Sequence, residues 1–251
     1  MKNQEFSPRE ALENAFRHWW VIFLITVLGG IAGWAFHFFN PPVYEATSVI
    51  TVNMDFQKVH LTQYEQDYAF NAAGAIGTSD VVEGQVVTDA KNNGIQIELG
   101  QLQQQMFLER KQSVWELHIQ NRNPEIAAKL ANLWAQDFTE ALNAALAHAI
   151  HADQIQSQMD SINIGLAASG SYILSPEAQT ALESLTDELL QEQKSSQGVI
   201  SIMKFTQTGS APVPQTPVLY RLALLVLAGA GIGFVVSLWV AGSYWAQRHD
   251  R

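Results

Sequence analysis

Residues 19–39 read WWVIFLITVLGGIAGWAFHFF, and residues 222–245 read LALLVLAGAGIGFVVSLWVAGSYW. Neither stretch contains Asp, Glu, Lys or Arg. At about 1.5 Å per helical residue, each is long enough to cross the roughly 30 Å hydrocarbon core of a bilayer. One such span near each end makes the chain a hairpin through a membrane. The expected layout is a tail at 1–18, a span at 19–39, a folded middle at 40–218, a second span at 219–245 and a tail at 246–251. The middle must fold on one side of the bilayer and both tails must end on the other. That layout excludes most enzymes and most soluble binding proteins.

Charge assigns the sides. Residues 40–218 carry 20 acidic and 8 basic residues, a net of −12. The tails carry Lys2, Arg9, Arg17, Arg248 and Arg251 against Glu5, Glu10, Glu13 and Asp250, and Arg221 stands at the edge of the second span. Lys and Arg near spans favour the cytoplasm, so both tails are expected there and the middle outside. The acidic middle argues against nucleic acid, which needs a basic face. With no cysteine there is neither a disulfide framework nor thiolate chemistry. A cleaved signal peptide fits the first span poorly: it is too long, half of the charged residues before it are acidic, and NPPVYEA offers no small-x-small cleavage site. Trp19, Trp20, Trp34, Phe38 and Phe39 flank the first span, and Tyr220, Trp239, Tyr244 and Trp245 the second, where amphipathic rings prefer the headgroup level. Arg221 can snorkel to water.

The middle reads as mixed helix and strand. Pro41 and Pro42 stop the first span, and 44–52 is rich in β-branched residues, as in a strand. Residues 61–75 are weakly helical. Thr78-Ser79-Asp80 caps a helix running to about Asn92, and Asn93-Gly94 ends it. A short helix is expected at 97–105, then a hairpin of strands 106–110 and 114–120. In the second hairpin strand, Val114, Glu116, His118 and Gln120 alternate with Trp115, Leu117 and Ile119, so one face is wet. Asn123-Pro124-Glu125 opens the longest helix, about 124–166. Its apolar positions Ile126, Leu130, Trp134, Phe138, Leu142, Leu146 and Ile150 step by four. Each step drifts about 40° around a 3.6-residue helix, so the stripe turns by roughly 240° and no single flat partner can bury it. The early positions should pack into the protomer's own base. Leu142, Leu146 and Ile150 should meet other helices, those of neighbouring protomers, as the oligomer contact. After a break at 167–175, Ser175-Pro176-Glu177 starts a returning helix, and 199–206 reads as a closing strand. The fold class is α+β: two transmembrane helices flanking an extracytoplasmic domain with a long helical hairpin.

Gly29 and Gly33, and Gly229 and Gly233, form small-xxx-small pairs that let transmembrane helices pack closely; against this, glycine is common in such helices anyway. His148 and His151 lie three apart on the long helix, a spacing that can pair imidazoles on a metal. No further ligand pattern supports this, so they read as ordinary interface histidines. Glu183, Asp187 and Glu188 read as a solvated helix face. No nucleophile motif and no phosphate loop is present, and no catalytic residue, metal or cofactor is expected.

Three stretches carry a resemblance: PPVYEATSVITV after the first span, NPEIAAKLANLWAQDF opening the long helix, and GSAPVPQTPVLYRLALLVLAGAGIG entering the second span. Together with both spans they resemble the Wzz-like chain length determinant family, the polysaccharide co-polymerases. The resemblance implies a non-enzymatic regulator of the chain length of a surface polysaccharide (O-antigen, capsule or exopolysaccharide). It implies a homo-oligomer in the bacterial inner membrane, lying in the lipid bilayer beside a membrane polysaccharide polymerase and its growing glycan. Pro212, Pro214 and Pro217 would form the family-type proline strut. The small residues of 165–170 depart from the usual hairpin and bear on oligomer size. Some relatives add a tyrosine kinase domain after the second span. Here only 246–251 follow, and no GxxxxGK[ST] loop exists, so a kinase partner would be a separate protein. The competing functions are an adaptor for such a separate tyrosine kinase, an extracytoplasmic ligand-sensing receptor, and, least expected, a membrane-anchored hydrolase.

Overall fold

The computed structural model describes residues 19–55, 61–169 and 176–249. The tail at 1–18, residues 250–251, and most of the expected break before the returning helix lie outside the described residues. The chain divides into two units, one of residues 1–44 with 215–251 and one of residues 45–214.

The first unit holds two helices, α1 (Trp19–Phe39) and, last in chain order, α7 (Leu222–His249). Each contains a stretch apolar and long enough to cross a membrane, Trp19–Phe39 and Leu222–Val240. Their apolar side chains face outward: Trp19, Trp20, Trp34, Phe38, Phe39 and Trp239 are all exposed. That is the inverse of a soluble core and suits a lipid solvent. Where the chain leaves and re-enters this unit, Val43 bridges Leu219, and Nδ1 of His37 lies 2.9 Å from the carbonyl of Tyr220.

The second unit is α+β. Its elements run β1 (Tyr44–Met54), α2 (Gln63–Gly77), α3 (Asp80–Asn92), α4 (Leu99–Gln105), β2 (Met106–Lys111), β3 (Val114–Asn121), α5 (Pro124–Ser169), α6 (Pro176–Ser195) and β4 (Met203–Gly209). Local chemistry explains the starts. Thr62 and Glu65 form a reciprocal capping box at α2. The Ser79 side chain accepts from the Val82 N–H at α3. The Asn123 side chain accepts from Glu125 and Ile126 before α5. The four strands form one sheet in the order β2-β3-β1-β4, with β2–β3 and β1–β4 antiparallel. Strand alternation buries Ala46, Ser48, Ile50 and Val52 of β1 and Trp115, Leu117 and Ile119 of β3 on one face.

The first five turns of α5 cover that face. Leu130, Trp134, Phe138 and Leu142 are fully buried. The Trp115 ring centroid lies 5.6 Å from that of Phe138 and 6.2 Å from that of Phe70. The Trp134 indole donates to the Gly77 carbonyl at 2.8 Å, satisfying its one polar atom inside the core. At Gly77 a Cβ would stand 2.6 Å from the Phe138 ring, so only glycine ends α2 there without displacing the aromatic. The closing strand lies later than the expected 199–206. Residues 196–202 turn instead, with Gln197 and Gly198 in the left-handed region, and β4 begins at Met203, opposite Met54. The apolar run Val199-Ile200 belongs to that turn, where Val199 is buried.

Candidate functional site

Two surfaces hold the residues singled out from the sequence: the contact between the span helices and the exposed flank of α5. Gly29, Gly33, Gly229 and Gly233 all lie in the α1–α7 contact. A Cβ at Gly29 would run into the Gly229 carbonyl, and one at Gly33 into the Leu225 carbonyl. A Cβ at Gly233 would stand 2.7 Å from the Ile25 carbonyl. The backbones therefore touch through the missing side chains, with residue numbers falling on one helix as they rise on the other. This contact lies within one protomer. In lipid, where no hydrophobic force joins helices, such close packing supplies dispersion contact along the seam. Gly231 faces open space and Gly30 makes only ordinary contacts, so the pairs separated by four residues form the seam.

The proposed oligomer contact needs one correction. Leu142 is 0% exposed in the protomer's own core, so it has no surface to offer a neighbour. Leu146 is half-buried against the same core. Of the three, only Ile150, 42% exposed, is turned to solvent. The reason is the helical period. Beyond Leu142 the buried line leaves the every-fourth-residue track for Ala145, Ala149, Ala152 and Ile155, spaced by four and three residues. Along its far part these small residues let α6 pack closely, with Leu185 and Leu189 set against Ala152, Ile155 and Met159.

His148 and His151 are not brought together on a metal; both reach across to α6. His148 Nδ1 lies 2.6 Å and His151 Nδ1 3.4 Å from the Glu192 carboxylate, and His151 Nε2 lies 3.9 Å from Glu188. These contacts, led by His148, hold the Glu192 carboxyl below its usual value. They also join α5 to α6 across the hairpin. Pro212, Pro214 and Pro217 lie in an irregular segment between β4 and α7, where the Asn132 side chain accepts from the Ala211 N–H and donates to its carbonyl.

Two polar features escaped the sequence. Asp137, on the buried side of α5, is 5% exposed and its Oδ2 has no hydrogen-bond partner among the described residues. Burial first, and then the neighbouring Asp89 carboxylate, push it up to about 7. The second is His118 on the outer sheet face. Its ring stacks on Phe107 at 4.4 Å, and three carboxylates surround it, from Glu45, Glu109 and Glu116. The two-residue turn Gln112-Ser113 would have revealed this, because it sets Glu109 opposite Glu116 and Phe107 opposite His118.

The structure thus defines a class: a chain in which two helices apolar and long enough to cross a membrane enclose, in sequence, an α+β unit with a long helix. Residues 5–109 match the family model described as "Wzz: Chain length determinant protein". Among solved structures, it is similar to a full-length bacterial polysaccharide co-polymerase at 14% identity and a TM-score of 0.42, covering 95% of this chain and 97% of that one. It is also similar to a fragment of WzzB, a polysaccharide co-polymerase from Salmonella Typhimurium, at 10% identity and a TM-score of 0.24, covering 70% of this chain and 98% of that one. No curated protein matches.

Proposed function

We propose that this chain is a non-enzymatic regulator of surface polysaccharide chain length. It acts in a bacterial inner membrane as a homo-oligomer beside a membrane polymerase, with the α+β unit extracytoplasmic and both termini cytoplasmic. The observation that carries this reading is the chain length determinant match over residues 5–109, which runs through the first span and into the α+β unit. The span seam supports it: two helices closed backbone to backbone on four glycines form a stiff membrane element suited to resting against a polymerase. The long α5–α6 hairpin, with Ile150 and Leu190 exposed, offers surface for neighbouring protomers.

The test is deletion of the gene, followed by electrophoresis of the cell's lipid-linked and exported polysaccharide. The expected result is a shift from a preferred length to a broad, mostly shorter distribution, with total polymer retained and the pattern restored by the gene in trans. An unchanged profile, or loss of all polymer with no change in its length distribution, would overturn the reading.

A further inference from the structure

We propose that the outer face of the sheet holds a divalent transition-metal site built by His118, Glu109 and Glu116. His118 is 7% exposed although it stands on the wet side of β3, because Phe107 covers its ring. Its Nδ1 lies 3.1 Å from Glu45 Oε1 and 3.0 Å from Thr47 Oγ1. A carboxylate can only accept, so Nδ1 carries a proton, which leaves Nε2 as the ring atom that can ligate a metal, releasing any proton it holds. Glu45 is held in turn by the Gln120 amide at 2.8 Å. This is the arrangement in which a carboxylate orients a histidine toward a metal and raises its basicity.

Nε2 is buried and has no hydrogen-bond partner among the described residues. It points between two carboxylates, 3.6 Å from Glu109 Oε2 and 3.4 Å from Glu116 Oε2. One ligand atom from each of the three residues falls within 4.8 Å of the others. Ligands held about 2.0–2.2 Å from a tetrahedral zinc ion lie roughly 3.3–3.6 Å apart, so both histidine–carboxylate edges already have the length such an ion requires. One imidazole with two carboxylates suits zinc or manganese better than calcium, which takes six or more oxygens. The fourth position is left to water or a ligand oxygen.

Lys111 is the built-in competitor. Its Nζ lies 2.7 Å from Glu116 Oε2 and 3.5 Å from Glu109 Oε2, and it is half-exposed on a flexible stem. Metal binding must therefore displace the lysine head from the carboxylate pair into water.

The test uses the full chain, without a histidine tag, in detergent after EDTA treatment, titrated with Zn²⁺ by calorimetry and with Co²⁺ by visible absorption. One saturable ion per chain is expected, with a cobalt d–d band and a raised melting temperature. Glu109→Gln should weaken binding by about tenfold or more, and His118→Gln should abolish it. Lys111→Met should tighten it by about tenfold, a direction that misfolding cannot imitate. No saturable binding by folded wild type, binding unchanged in both Glu109→Gln and His118→Gln, or binding weakened by Lys111→Met would each overturn the proposal. A cluster that responds to pH alone and to neither metal would also overturn it.

Discussion

At the residue scale, Asp137 has the most definite consequence. Its carboxyl titrates near 7 in the folded chain against an ordinary value of 3.8, so the folded state holds that proton more tightly. Its effect on stability is most favourable below about pH 3.8, worsens as the pH rises, and reaches its full cost above about 7. Asp137→Asn removes the ionisable group while keeping its shape. At pH 8 it should stabilise the full chain in detergent by about 1–3 kcal/mol, and at pH 4 it should do almost nothing. Thermal melts of variant and wild type at the two pH values measure the difference; an equal shift at both would mean that Asp137 is not charged in the folded protein at pH 8. Nothing in the sequence marks this residue, because Asp137 sits in a helix where most carboxylates face water. Its burial is set by α3, whose Asp89 lies 48 positions earlier. The His118 cluster was nearer to hand. Strand alternation already put Glu116 and His118 on one face, and only the hairpin register was needed to add Glu109.

At the element scale, α5 shows what periodicity can and cannot settle. The turning stripe correctly required more than one partner surface, and Leu130, Trp134 and Phe138 are in the core as their spacing demanded. Where the helix changes partners could not be read from the apolar residues, because alanines take over the contact with α6. Leu142→Ala should therefore destabilise the unit, by about 2–5 kcal/mol, as a fully buried leucine does. Ile150→Asp should leave the melt within about 0.5 kcal/mol of wild type, since its side chain already meets solvent. It should nevertheless reduce chemical cross-linking between chains, by placing a charge at the proposed contact between protomers. A melt lowered as much by Ile150→Asp as by Leu142→Ala would remove the far part of α5 from the account of assembly. The two span helices and most element boundaries were legible because capping residues and composition are local signals. The turn at 196–202 was not, since Val199 and Ile200 imitate a strand until the pairing with β1 fixes the register.

At the scale of the whole molecule, the proposed topology puts both ends of the chain on one side of the membrane. Single cysteines can be introduced freely into a chain that has none. A cysteine at Gln154 should react with a membrane-impermeant reagent without disruption of the inner membrane, and one at position 3 or 250 only after it. The reverse pattern would refute the orientation. The sheet order adds a consequence for synthesis. β1 is among the first parts of the α+β unit to leave the ribosome, yet one of its two neighbours is β4, the last strand made. Until residue 209 emerges, one edge of β1 stays open, with Ile50 and Val52 facing an incomplete core. The nascent chain therefore carries an unfinished β-edge for most of its elongation, the kind of edge that pairs with the wrong chain. Crowded translation of many copies at one membrane patch would expose this hazard first, and a holding chaperone would relieve it.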